Sequence, residues 1–278
     1  MNRRAMKTLP ALLLCLLPLA GFAREGCAHS QPRELVLETA GVKRVMFDIG
    51  PHRLRLRGSD DGAHRLDGRA CASSQGDLDR LVLSQERRGD ALHVTLQRAN
   101  RRGISFGERH AYLDLEGTVP AGLLVQLKVG SGDARLTGAA AASADLGSGD
   151  VELERIDGRV TAKVGSGDLA IREAGSLRVL SLGSGDIKAQ RVRGDVDVDR
   201  IGSGDFTLEG AGGSVRIGAI GSGDAELADI AGDASLESIG SGDFDVRNVH
   251  GSLTVQSIGS GDVRHRDVAG NVGLPRQR

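Results

Sequence analysis

The sequence has no tryptophan, one tyrosine and five phenylalanines, so aromatic residues make up only 2% of its 278 positions. Proteins that hold sugars or single-stranded nucleic acid by stacking need aromatic faces, and this chain has almost none to offer. Excess charge is missing too: 36 Lys+Arg stand against 37 Asp+Glu, a net of −1, which gives no general reason to expect nucleic acid as a partner. The seven histidines, His29, His52, His64, His93, His110, His250 and His265, are scattered and form no metal-ligand spacing. Beyond the first residues no stretch is apolar enough to cross a membrane, so no transmembrane segment is expected.

The chain opens with Arg3, Arg4 and Lys7, then an apolar run from Leu9 to Leu19, then Gly21-Phe22-Ala23. A positive start, a short apolar core and small residues at the cleavage site make residues 1–23 a secretory signal peptide. Cys15 lies inside it without the small residues that precede a lipid-anchored cysteine. Loss of the signal takes the net charge from −1 to −4. The protein is expected to be exported, periplasmic or associated with the cell envelope, or secreted beyond it. Two cysteines remain, Cys27 and Cys71, with only one pairing open to them in an oxidising compartment. Such a bond closes a loop worth about 4 kcal/mol on the chain-entropy model.

The dominant feature is a tetrapeptide. Gly-Ser-Gly-Asp occurs eight times, with its aspartates at Asp133, Asp150, Asp168, Asp186, Asp205, Asp224, Asp243 and Asp262, spaced 17, 18, 18, 19, 19, 19 and 19 apart. A period near twenty is the mark of a solenoid whose repeats stack as coils. Within each repeat, the residues one and three places after Asp are apolar, as in Phe206 and Leu208, and the residue between them is mostly polar, as in Thr207. That alternation is a strand with one buried face. Six places after Asp the chain is apolar again, a glycine follows in six of eight coils, and a second strand such as Val196-x-Val198 leads to the next tetrapeptide. Each coil thus reads corner, strand, bend, strand, and the tetrapeptide is the corner, where glycine can take positive φ without steric cost.

The fold expected is all-β: a right-handed parallel β-solenoid of about eight coils over residues 125–278, rising about 4.8 Å per coil, preceded by an irregular β-rich cap over residues 24–124 that carries the disulfide. The strand-like runs Arg44–Ile49, Arg53–Arg57, Leu81–Leu83 and Ala91–Leu96 fit such a cap, although a separate sandwich domain would carry similar runs.

With its signal peptide, variable β-rich amino half and run of Gly-Ser-Gly-Asp coils, the chain resembles the bacterial exported adhesin-like β-solenoid proteins, the auto-transporter adhesin head domains. The likeness covers residues 125–270 well and residues 24–124 loosely. It implies a binding or structural module of the cell envelope, and supplies no catalytic residue. An auto-transporter continues into a membrane barrel, whereas this sequence ends at Arg278.

The aspartate column offers the first candidate site. Copies about 4.8 Å apart repel by roughly 1 kcal/mol per pair in water and roughly 3.5 kcal/mol at an effective dielectric of 20. Either main-chain N–H groups offset this at each turn, or calcium does. The calcium-binding toxin repeats use a similar Gly-Gly-x-Gly-x-Asp. These corners lack the residue between the second glycine and Asp, and each brings one carboxylate to an ion that wants six to eight oxygens. A calcium-responsive solenoid is therefore the alternative to a purely structural or binding module, which needs no cofactor.

An envelope polysaccharide hydrolase or lyase is the third possibility. Coils of 17 to 19 residues leave no long loops on which to build a catalytic cleft, and their carboxylates line a convex stack rather than pairing across one. Arg98, Arg101, Arg102 and Arg109 read as a solvated loop or as a contact for anionic envelope polymers. Arg88-Gly89-Asp90 and Arg193-Gly194-Asp195 match an integrin-binding tripeptide, but sit where turns are expected anyway. The partner expected is an envelope or surface protein or polymer. At the carboxyl end His265 replaces an inward aliphatic residue and Pro275 precedes a basic tail. The proline and the basic tail discourage strand pairing at an open edge, so a monomer capable of edge-mediated association is expected.

Overall fold

The computed structural model describes residues 27–99 and 110–275. The strands of the amino-terminal half are β1 (His29–Val36), β2 (Arg44–Gly50), β3 (Arg53–Ser59), β4 (Arg65–Ala72), β5 (Leu81–Arg88), β6 (Ala91–Arg98), β7 (Ala111–Pro120) and β8 (Leu124–Val129), with one helical turn, α1 (Gln75–Leu78), between β4 and β5. There follow β9 (Asp133–Ala139), β10 (Ala141–Leu146), and two long bent strands, β11 (Asp150–Val164) and β12 (Asp168–Leu182). Regular pairs complete the chain: β13 (Ile187–Val192) and β14 (Val196–Ile201), β15 (Phe206–Ala211) and β16 (Val215–Ile220), β17 (Ala225–Ile230) and β18 (Ala234–Ile239), β19 (Phe244–Val249) and β20 (Leu253–Ile258), β21 (Val263–Val268) and β22 (Val272–Gly273).

These strands form the expected β-solenoid of about eight turns. From β8 onward each pairs in parallel with its counterpart one coil away: Phe206 lies opposite Ile187 on one side and Ala225 on the other. Across the core a second stack repeats this, with Val215 between Val196 and Ala234. The inward residues of both stacks are buried as far as Val255, with Phe47, Phe206 and Phe244 among the largest fully enclosed side chains.

Coil stacking starts before the first tetrapeptide. β2 and β3 pair in parallel with β8 and β9, so Pro51-His52 occupies the corner where later coils carry Gly-Ser-Gly-Asp. β6 and β7 form one further layer against β2 and β3. Direction then reverses: β5 pairs antiparallel with β6, β4 with β7, and β1 with β4. The Gln85 amide joins the two reversed edges, its Nε2 donating to Val36 C=O and its Oε1 accepting from Glu38 N–H. The Cys27–Cys71 disulfide, with Cα atoms 5.4 Å apart, ties the segment before β1 to β4.

The corner glycines are required for a reason other than the one expected. Among the described residues, none of the tetrapeptide glycines has a positive φ. A Cβ on Gly149 would lie 1.7 Å from Gly132 O, and one on Gly204 would lie 1.8 Å from Gly185 O. Successive corners nest with main chain against main chain, and no side chain fits between them.

Positive φ occurs instead five residues after each aspartate. Gly138, Arg155, Glu173, Arg191, Gly210, Asp229, Asn248 and Asp267 all lie there, with φ from 53° to 86°. Six of these carry side chains in a conformation that favours glycine. The bend turns the residue after them, from Ala139 to Val249, into the core.

The unequal spacings follow from two single-residue insertions. In the coil of β11 the second strand buries alternate residues, Val160, Ala162 and Val164. In that of β14 it buries Val196, Val198 and Ile201, with one residue more before the last. This bulge enters at β12, where Ala162 and Lys163 lie opposite Val179 and Ser181, and leaves Leu180 45% exposed on the outer face. The other insertion lies at the bend between strands: three steps separate Ala139 from Ala142 and Ala174 from Leu177, but four separate Ile156 from Val160 and Val192 from Val196. Neither insertion gives 17, either one gives 18, and both give the constant 19.

At the far end the core opens. Val272 continues the inward column opposite Leu253 yet is 41% exposed, since none of the described strands lies over it. His265 takes the inward position opposite Val246 and is exposed. Residues 276–278 of the basic tail lie outside the described residues, as does the signal segment 1–23.

Candidate functional site

The aspartate column is a hydrogen-bond ladder between coils. Asp168 Oδ1 accepts the main-chain N–H of Asp186, and Asp186 accepts from Asp205, Asp205 from Asp224, Asp224 from Asp243 and Asp243 from Asp262, at 2.7–3.4 Å. One oxygen of each carboxylate is thereby engaged along the stack. The first corners differ: Asp133 N–H donates to His52 O and Asp168 N–H to Gly149 O, in ordinary strand fashion. Among the described residues no group of three or more His, Cys, Asp or Glu side chains is placed to hold a metal ion.

A second ladder at the opposite bend was not read from the sequence. Asp195 Oδ1 accepts from Ser214 N–H, Ser214 Oγ from Asp233 N–H, Asp233 Oδ1 from Ser252 N–H, and Ser252 Oγ from Asn271 N–H, at 2.8–3.2 Å. The signal was present as Gly-Asp, Gly-Ser, Gly-Asp, Gly-Ser and Gly-Asn at 19-residue spacing. Alternation of Asp with Ser hid it, although both supply one side-chain oxygen two bonds beyond Cα or Cβ and cap a turn N–H alike.

The outer face of the stack containing β3, β9, β11, β12 and β13 is not flat. An open trough of about 750 Å³ crosses these five strands. Its middle column runs Arg55, Arg135, Glu152, Ala170 and Lys188, one residue per coil, and the short Ala170 side chain forms the low point. Asp133, Asp150, Asp168 and Asp186 line one side. Ion pairs brace the walls: Arg53 to Asp133 at 3.2 Å, Arg55 to Asp114 at 2.9 Å, Arg135 to Glu152 at 3.3 Å, and Arg172 to Glu152 at 2.6 Å. These pairs are largely solvated, and each adds at most about 1 kcal/mol. Lys188 and Asp150 make no ion pair or side-chain hydrogen bond among the described residues, so both charges remain open to a ligand. Where the trough meets β7, Arg53 lies over the Tyr112 ring, 5.7 Å from its centroid.

Other sequence candidates have structural employment. Arg98 donates to the buried Asp77 carboxylate at 2.8 Å, which also accepts from Ser74 Oγ and pairs with Arg80, fixing α1 against β6. Arg101, Arg102 and Arg109 lie outside the described residues. In the first Arg-Gly-Asp tripeptide, Arg88 pairs with Glu86 and Asp90 with Arg44. In the second, Arg193 donates to Asp157 O and Asp195 belongs to the ladder above. Neither tripeptide presents both its charges free.

His52 is fully buried at the first corner, its Nδ1 accepting Leu113 N–H at 3.2 Å while Nε2 has no partner. Burial, and then the positive charge of Arg98, lower its pKa to about 4, so the ring is neutral at pH 7.

Residues 159–267 match the family model described as "Putative auto-transporter adhesin, head GIN domain". The resemblance carried by the Gly-Ser-Gly-Asp coils is borne out over that stretch. Two solved structures share the fold. A "Putative lipid binding protein" from Parabacteroides distasonis is 17% identical over 87% of this chain and 98% of its own, with a TM-score of 0.56. A "putative adhesin" from Parabacteroides merdae is 15% identical over the same shares, with a TM-score of 0.58. No curated protein matches the sequence.

Proposed function

We propose that the protein is an exported, non-catalytic, adhesin-like binding module of the bacterial cell envelope, and that it meets its partner with the charged trough across β3, β9, β11, β12 and β13. The trough carries this reading: it is a large depression on a rigid sheet, and it keeps an unpaired cation and an unpaired carboxylate at the surface. The strands beneath it are paired with the coils on either side, so the side chains are held on a stiff frame. Export is supported by the disulfide and by the amino-terminal signal pattern. A non-catalytic role is supported by uniform coils that carry no long loop to form a cleft.

The test is co-sedimentation of purified protein with isolated cell envelopes. Wild type should pellet with them, and Arg135→Glu combined with Lys188→Glu should abolish this while the protein keeps a cooperative melting transition, lowered only modestly by the loss of the solvated pairs of Arg135 with Glu152 and Glu154. Equal sedimentation of the two proteins removes the trough from the interaction.

A further inference from the structure

The distribution of charge in the trough narrows its ligand to one chemical class. We infer that the trough takes a zwitterionic glycan, an extended sugar chain bearing both free amines and carboxylates. This rests on the binding-module function proposed above. One border is a row of carboxylates, Asp133, Asp150, Asp168 and Asp186, one per coil. Inside it stand the cations Arg55, Arg135 and Lys188, with Arg172 reaching over from the next column to Glu152. A polyanion laid along the axis meets the aspartate row, and a polycation meets the guanidinium and ammonium groups. Like-charge contact rejects both. A chain with amines on one side and acids on the other meets complementary charge along its length.

The two free charges set the spacing. Asp150 and Lys188 lie two coils apart, roughly 10 Å along the axis. An amine beside Asp150 and an acid beside Lys188 bind groups that have no internal partner to displace, so desolvation there is repaid directly. The five strands of the trough span four coil rises, roughly 19 Å, enough for a short oligosaccharide.

A peptide suits the trough less well. Running along the axis, it crosses strands whose N–H and C=O groups are already paired with neighbouring coils, so no strand addition is open to it. A glycan has no such ladder to satisfy, and its hydroxyls bond readily to carboxylates and guanidinium groups.

The experiment is calorimetric titration of the intact exported chain with three hexasaccharides. N-deacetylated hyaluronan carries both signs, hyaluronan carries carboxylates alone, and the glucosamine oligomer carries amines alone. The first should bind at least about tenfold more tightly than either of the others. Asp150→Asn combined with Lys188→Gln should weaken it by about tenfold or more, with an unchanged melting curve, because both side chains are exposed and unpaired. Lys163→Gln, on the other stack, should leave binding unchanged. The inference is overturned if a single-sign oligomer binds as well as the zwitterionic one, if none binds, or if the double variant binds normally. Envelope sedimentation that still depends on Arg135 and Lys188 in those cases leaves the binding function standing and removes only the ligand class.

Discussion

Asp224 Oδ1 accepts the main-chain N–H of Asp243 at 2.7 Å, the shortest rung of a ladder that runs from Asp168 to Asp262. The side chain of one coil thus satisfies a donor of the next, at a corner where the strand ladder is interrupted. From Asp168 to Asp243, carboxylates one coil rise apart are tolerated because each carries a bonded N–H on the side facing its neighbour.

Removal of a rung should therefore cost little more than one solvated hydrogen bond. Asp224→Ala should destabilise by about 1 kcal/mol, and Asp224→Asn, which keeps an acceptor and removes a like charge, by less than about 0.5 kcal/mol. Urea denaturation of the two variants measures this, and a larger loss in the Asn variant would show that the charge itself is required. Millimolar calcium should leave the melting temperature of wild type unchanged. An ion held by the column would instead stabilise by about 2.7 kcal/mol at a hundred times its dissociation constant, and Asp205→Asn with Asp224→Asn would erase the shift.

Two glycine replacements separate crowding from backbone conformation. A Cβ at Gly149 meets Gly132 O at 1.7 Å, whereas one at Gly138, with φ of +72°, meets nothing within 4 Å. Gly138→Ala should cost about 1 kcal/mol for its left-handed backbone alone. Gly149→Ala must force two coils apart and should lower the melting temperature far more. Comparable melting shifts would mean that the corners are looser than their main-chain contacts indicate.

The in–out register is tested by neighbours on one strand. Leu208 is 1% exposed and Thr207 faces outward. Leu208→Asp should destabilise by at least about 3 kcal/mol through a lost apolar contact and a buried charge. Thr207→Asp should change stability by less than about 1 kcal/mol. Thermal melting distinguishes them.

His52 makes stability sensitive to mild acid. Its folded pKa of about 4 lies below the ordinary 6.5, so the unfolded chain binds the proton first as pH falls. The neutral ring's contribution is complete above pH 6.5 and is lost progressively down to about pH 4. Between pH 7 and 4.5 the loss should be roughly 2–3 kcal/mol. His52→Leu should remove that part of the acid sensitivity in paired denaturation curves at the two values. Parallel pH profiles for variant and wild type would refute it.

Much of the solenoid is legible in the sequence because a parallel coil must repeat its inward residues at one period, and Ile187, Phe206, Ala225 and Phe244 do so without interruption. The role of glycine was misread because positive φ and close approach both select the same residue. Only the main chain of the coil below separates them, as Gly149 against Gly132 does. The left-handed position escaped notice for the converse reason: Arg155, Glu173 and Asn248 carry no common side-chain signature. The coil formed by β2 and β3 was hidden because Pro51-His52 replaces the tetrapeptide. The trough could not be foreseen, since Ala170 becomes a low point only when Glu152 and Lys188 are known to flank it across two strand ladders.

The constant 19-residue coil, reached only after both insertions are in place, makes the distal part of the protein a ruler. From Asp186 onward each coil presents the same backbone to its neighbours above and below, so a whole coil can be duplicated or excised without any partner losing its counterpart. Insertions and deletions in multiples of 19 residues between Asp205 and Asp262 should leave the amino-terminal trough, whose last strand is β13, untouched. Each would move the far end by about 4.8 Å. Length could then vary by gain or loss of equal-length segments while recognition stays fixed, so that reach and ligand choice are inherited separately.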